Sequence, residues 1–153
     1  MNNYLKPKEY LPHDEPMVLI DEVLHIDENT TRTKCIIDDE HVLKPFIEKD
    51  GVPSFITLEL LAQSVGIWSG YFSIKNGQNK CPLGMVIGGR DIRNHNEFFK
   101  KGSVLEIEVV KIMHDEIIGS FEGSIKENGK TVSTGRVNVV KVTDDLYKQL
   151  FKR

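Results

Sequence analysis

Leu58-Glu59-Leu60-Leu61-Ala62-Gln63-Ser64 sets one carboxylate inside a run that otherwise reads as a buried helix. From Phe55 to Ile74 the apolar positions include Phe55, Ile56, Leu58, Leu60, Leu61, Ala62, Val65, Ile67, Trp68, Tyr71, Phe72 and Ile74. They cover almost the whole circumference, the pattern of a core helix rather than a surface one. A carboxylate placed there loses hydration, so its pKa is expected to rise toward the range useful for proton transfer. Buried acids also serve in structural networks, and the rest of the chain has to decide between the two roles.

Working outward, Ser54 after Pro53 is a natural helix N-cap, and Lys75-Asn76-Gly77 supplies a left-handed stop. Upstream, Asn3 to Pro16 carries Pro7, Pro12 and Pro16 and reads as a loop or broken turn. Met17 to Ile26 reads as a strand, Asp27-Glu28-Asn29 as a turn, and Thr30 to Ile37 as a second strand with alternating sides. The interval from Asp38 to Pro53 is polar and delivers the chain to the helix.

Downstream the chain is β-rich. Leu83 to Ile92 reads as a strand whose Gly84, Gly88 and Gly89 suggest a bend or a close backbone approach. Val104 to Met113 begins with near-perfect alternation, and Ile117 to Lys126 and Thr131 to Val142 flank the hairpin signal Glu127-Asn128-Gly129-Lys130. Asp144 or Asp145 is placed to cap a short helix through Phe151. One long helix among about six strands joined by short turns implies an α+β fold. An antiparallel sheet wrapped around one central helix is the hotdog arrangement, expected here as a single domain over residues 1–153.

The 153 residues are enough for a real core, and the formal net charge of −3 gives no global argument for nucleic acid or membrane binding. Cys35 and Cys81 lie far apart without metal-ligand spacing and read as reduced thiols. Met1-Asn2-Asn3-Tyr4-Leu5-Lys6-Pro7 lacks an apolar signal core, and no stretch has the length and apolarity to span a bilayer, so a cytoplasmic location is expected.

A second chemical candidate is His13, held between two prolines in Leu11-Pro12-His13-Asp14-Glu15-Pro16. Those prolines restrict the backbone and favour one direction for the ring. Taken singly, a loop histidine is usually just solvated. His25, His41, His95 and His114 are scattered and have no metal spacing.

The combination says more. Leu11-Pro12-His13-x-x-Pro16-Met17-x-Leu19-x-Asp21-x-Val23 is followed by Gly51-Val52-Pro53 and by Glu59-Leu60-Leu61-Ala62-Gln63. This order resembles the β-hydroxyacyl-acyl carrier protein dehydratases over nearly the whole chain, from about Tyr10 to Val142. Gly89-Arg90-Asp91-Ile92-Arg93 and the strand after Gly102 continue the likeness. One stretch departs from the main fatty-acid pathway enzymes, which carry a Gly-His-Phe-Pro-Gly-His-Pro type segment before the helix. Here the interval reads Lys44-Pro45-Phe46-Ile47-Glu48-Lys49-Asp50-Gly51-Val52-Pro53, which looks more like the aryl-polyene branch of the family.

The resemblance implies a lyase that removes water from a 3-hydroxyacyl thioester in fatty-acid-like or polyene biosynthesis. His13 would be the base at C2 and Glu59 the acid that assists departure of the C3 hydroxyl. Amides near Ser54 and Phe55, or the Gly51 loop, are candidates for polarising the thioester carbonyl. Gln63, one turn after Glu59, is placed to bond either the carboxyl or the substrate. No cofactor is implied beyond the phosphopantetheine arm of the acyl carrier protein that brings the substrate.

In the resembling family two hotdog subunits share their sites, and trimers of such dimers also form, so a homodimer with shared sites is expected. Arg90, Arg93, Lys100 and Lys101 would give the acidic carrier a basic rim, and Phe98 and Phe99 either line the acyl entrance or pack the core. Two other functions fit the same fold: a hotdog thioesterase and a non-catalytic partner that binds acyl carrier protein. The Leu-Pro-His loop favours the dehydratase over the thioesterase, and the presence of both His13 and Glu59 argues against a non-catalytic partner.

Overall fold

The computed structural model describes residues 4–11, 18–38, 51–77, 84–115 and 118–141, with backbone alone at 55, 84–87 and 141. Among the described residues a 3-10 turn at Pro7–Glu9 comes first, and eight strands and one α-helix follow. They are β1 (Glu22–Ile26), β2 (Thr30–Ile36), β3 (Val52–Pro53), α1 (Thr57–Lys75), β4 (Gly84–Asn94), β5 (Phe98–Phe99), β6 (Val104–His114), β7 (Ile118–Glu127) and β8 (Lys130–Lys141). Six strands form an antiparallel sheet in the order β1-β2-β6-β7-β8-β4, and β3 pairs with β5 beside it. The expected hotdog architecture is present: one long helix lies across one face of this sheet.

Alternation explains which face. Thr31, Thr33 and Cys35 of β2, Leu105, Ile107 and Val109 of β6, and Phe121 and Ile125 of β7 are all buried at every second position. The apolar ones meet Leu60, Leu61, Val65, Ile67 and Trp68 of α1 in one core. A buried polar tie crosses the layers. Ser64 Oγ donates to the Leu60 carbonyl at 3.0 Å, so the 2.8 Å contact with Thr33 is donated by the threonine hydroxyl. Farther along the helix, Trp68 Nε1 donates to the carbonyls of Asp27 and Glu28, both at 3.2 Å, and pins the β1–β2 turn to α1.

The hairpin signal at Glu127-Asn128-Gly129-Lys130 folds as expected. Asn128 and Gly129 have φ of 51° and 89° while Glu127 pairs with Lys130, a two-residue turn whose twist suits the flanking strands. The left-handed stop is also where the sequence puts it, with Gly77 at φ 81° after the helix.

Three expectations need correction. Ser54 is not a side-chain cap; it opens a 3-10 turn, Ser54–Ile56, and α1 starts at Thr57. Thr57 closes that end instead, its hydroxyl lying 2.8 Å from the Ser54 carbonyl and 2.7 Å from Asn94 Oδ1. The first strand begins at Glu22 rather than near Met17. The reason is a long-range contact: the Leu19 amide bonds the side chain of Gln63 and is not offered to a strand ladder. The third concerns β4, which runs past Ile92 to Asn94 through two irregularities. At the second, Asp91 and Ile92 together face the single Gly135, with Asp91 at φ 53°, the signature of a β-bulge. The helix expected between Asp144 and Phe151 lies outside the described residues.

Candidate active site

Four residues of α1 form a stripe. Glu59, Gln63, Gly66 and Gly70 are spaced four, three and four apart, which puts them on one helix face. Glu59 heads the stripe in the first turn and is exposed on the single chain. The burial expected for this acid is therefore not supplied by its own chain. The helix is apolar around most of its girth, but this position faces outward beside Leu58, which packs as a partly buried neighbour of the core.

Gln63 is buried, with 1% of its surface exposed, and both ends of its amide are engaged. Its Oε1 accepts from the Leu19 amide at 2.8 Å, and its Nε2 donates to Glu59 Oε1 at 3.0 Å. A hydrogen bond of Gln63 to the Glu59 carboxyl is one of the two roles expected from the sequence, and the structure has it.

His13 lies outside the described residues, within 12–17, but both flanks of that segment are placed. Upstream, Tyr10 and Leu11 are buried across the helix. A Cβ at Gly70 would overlap the Tyr10 carbonyl oxygen, and one at Gly66 would stand 2.7 Å from Leu11 Cδ2. Only glycine at Gly70 lets the backbone come so near. Downstream, Leu19 is tied to Gln63. Both flanks of the histidine-bearing segment thus lie against the same helix stripe that carries Glu59. Sequence reasoning missed this seat, although the Gly66-Ile67-Trp68-Ser69-Gly70 spacing inside a helix was the available signal.

Of the carbonyl-polarising candidates, the Ser54 amide is committed elsewhere, donating to the Glu97 carbonyl at 2.8 Å. Phe55 follows it in the 3-10 turn that precedes α1. Gly51 is buried at φ 120°, and a Cβ there would collide with the carbonyl of Phe99 and stand 2.9 Å from Lys100 Cα. Glycine is required on both counts.

The four basic residues do not share one setting. Lys100 and Lys101 are exposed just after β5, beside Gly51. Arg90 and Arg93 are exposed on β4, on either side of its bulge. Arg93 lines a groove of about 530 Å³ of mixed sign, with Asp91, Glu108, Glu122 and Arg136. Phe99 is fully buried and Phe98 half-buried, so Phe99 packs the core. Among the described residues no group of three or more histidine, cysteine or acidic side chains is arranged to hold a metal ion. No helix among them is long and apolar enough to cross a membrane.

Residues 5–151, which span the helix stripe and the whole sheet, match the family model described as ApeP-like, ApeP dehydratase. The chain belongs to the ApeP-like dehydratase family. A solved structure, the dehydratase heterocomplex ApeI:P from Xenorhabdus doucetiae, is 35% identical with a TM-score of 0.93. The match covers 99% of this chain and 100% of that one. Two curated relatives are the 3-hydroxyacyl-[acyl-carrier-protein] dehydratases FabZ of Acinetobacter baylyi and Shewanella woodyi. The first is 28% identical, covering 88% of this chain and 90% of its own. The second is 27% identical and covers 84% of each. The likeness to a hypothetical thioesterase protein with coenzyme A from Streptococcus pneumoniae, at 12% identity and a TM-score of 0.59 over 79% of this chain and 84% of that one, speaks to the fold alone. The chain is thus a hotdog-fold dehydratase of the ApeP and FabZ kind, and the aryl-polyene likeness read from the Gly51-Val52-Pro53 approach agrees with its family.

Proposed function

We propose that this family member dehydrates 3-hydroxyacyl thioesters, carried on acyl carrier protein, to trans-2-enoyl thioesters. One observation carries the reading: the helix face that presents Glu59 also seats both flanks of the His13 segment. The FabZ relatives support the substrate class, since their names state it.

In the reaction, His13 takes the proton from C2, the C2 electron pair forms the C2–C3 double bond, and the C3 hydroxyl leaves with a proton from Glu59 as water. The enolate-like charge on the thioester oxygen needs donors, for which the amides of Phe55 and Gly51 are the candidates once Ser54 is set aside. An exposed Glu59 suits a site completed by a second chain, because a docked partner removes water from it. The partner surface we propose is the open edge of β4, an eleven-residue strand that pairs only with β8 among the described residues. So long an unpaired edge is a ready template for another strand. The sequence points to a second copy of this chain; the ApeI:P structure, a dehydratase heterocomplex, supports a non-identical partner.

The test is to supply a 3-hydroxyacyl thioester of acyl carrier protein and to measure enoyl product beside free carrier thiol. The protein is assayed alone and with a co-purified hotdog partner. Enoyl formation abolished by His13→Ala is the expected result. Thiol release without enoyl product identifies a thioesterase instead, and neither product, with carrier binding retained, identifies a non-catalytic partner.

A further inference from the structure

Gln63 does more than fill space between Glu59 and the sheet. The Leu19 amide can only donate, so the Gln63 atom facing it must be the oxygen. That assignment leaves no freedom at the other end, where the amide nitrogen faces Glu59 and can only donate. Glu59 Oε1 is therefore an acceptor. A flipped amide would lose both bonds in a buried site, where unpaired polar groups are costly.

We infer that Gln63 is a positioning residue that ties the segment leaving His13 to the carboxylate of Glu59, holding Oε1 as an acceptor so that the transferable proton sits on Oε2. The inference rests on the dehydratase reading for its chemical meaning, but the link itself is independent of turnover. It makes the acid and the chain that flanks the base one unit. Leu19 is six residues beyond His13, and the segment's other flank lies on Gly66 and Gly70 of the same stripe. A shift of α1 carries both the acid and the flanks of the histidine segment with it. Sub-ångström placement matters for proton transfer, and a misplacement of about 1 Å costs on the order of a hundredfold in rate.

Two variants of the full chain separate this role from packing. Gln63→Met keeps the shape and loses both bonds. Gln63→Glu keeps an acceptor for the Leu19 amide and replaces the fixed N–H donor to Glu59 with a second carboxyl that competes for the transferable proton. Amide hydrogen exchange by NMR is expected to show Leu19 protected in the parent protein and in Gln63→Glu, and exposed in Gln63→Met. The Gln63 side-chain amide resonances are expected to move in Glu59→Gln. In turnover, both Gln63 variants should lose kcat by about tenfold to a hundredfold with KM changed by less than about twofold. In the Glu59→Gln background, Gln63→Met should cost nothing further, since the group it acts through is already disabled. An equal cost in both backgrounds, or a Leu19 amide indifferent to Gln63→Met, overturns the inference. If Gln63→Met does not fold, Gln63→Glu with unaltered kcat overturns it just as well. A parent protein that makes no enoyl product, while the Leu19 and Gln63 signals respond as stated, sinks the dehydratase reading and leaves the link standing.

Discussion

The carbonyl oxygen of Tyr10 rests against the Cα of Gly70, in the space a side chain would occupy. By helix propensity alone, Gly70→Ala should stabilise α1 by about 1 kcal/mol. The obstacle, however, is backbone, which cannot rotate away, and overpacking of that kind costs about 1–3 kcal/mol. The net expectation is a lower Tm together with lower turnover, because the chain displaced from Gly70 leads within three residues to His13. Gly66→Ala is the control: there the obstacle is the end of the Leu11 side chain, which can yield, so its effect should be the smaller. Melting curves and turnover measured on both variants test the order, and a Gly70→Ala protein more stable than the parent contradicts it.

Cys35 offers a test of the core. It is fully buried on β2, and burial first, with Asp21 and Asp38 adding like charge, pushes its thiol well above the ordinary value of 9.0. The unfolded chain deprotonates at that ordinary value and the folded chain does not, so the stability this thiol gives is present below pH 9.0 and falls as pH rises beyond it. In a Cys81→Ser background, maleimide labelling at neutral pH should wait for unfolding. Rapid labelling of the folded protein contradicts the buried placement.

The fold was legible because its signals are local and mutually consistent. The helix pattern from Phe55 to Ile74, the Asn128-Gly129 turn and the alternation of β6 and β7 each act through near neighbours. What the sequence concealed was non-local. Nothing in Met17 to Asp21 announces that a glutamine 44 residues away from Leu19 takes its amide and delays β1 to Glu22. The exposure of Glu59 was hidden for a related reason: apolarity around a helix says how much is buried, not which positions, and the chain at Tyr10, Leu11 and Leu19 covers Gly70, Gly66 and Gln63 but leaves Glu59 at the head of the same stripe exposed.

The lysines after β5 carry a prediction about the carrier. Lys100 and Lys101 are exposed beside Gly51, whereas Arg93 sits among carboxylates. Reversing both lysines to glutamate should raise KM for a carrier-borne substrate by about tenfold at low salt, and the difference should shrink as salt screens it. The same substrate on a short pantetheine mimic should show no change. Lys100 holds its loop through its backbone amide, which bonds Glu127 Oε2 at 2.8 Å and does not need the ammonium, and a melting curve on the double variant checks that the fold is kept. Equal losses with carrier and mimic would place these lysines in the chemistry rather than in docking.

Glu59→Gln decides whether the carboxylate is chemical or structural. The swap is nearly isosteric and keeps an oxygen to receive the Gln63 amide at 3.0 Å, so the stripe and the core beneath it are retained. Only the transferable proton is removed. A lost general acid usually costs about a hundredfold or more, and that loss in kcat is expected with an unchanged melting curve. An exposed carboxylate with a purely structural role predicts the reverse, a shifted Tm with turnover per folded molecule intact. Because Glu59 lies on the surface of the single chain, the measurement has to include the partnered form, and the loss is expected in the complex with the proposed second chain. Full turnover in a folded, partnered Glu59→Gln protein would falsify the acid role assigned to this residue.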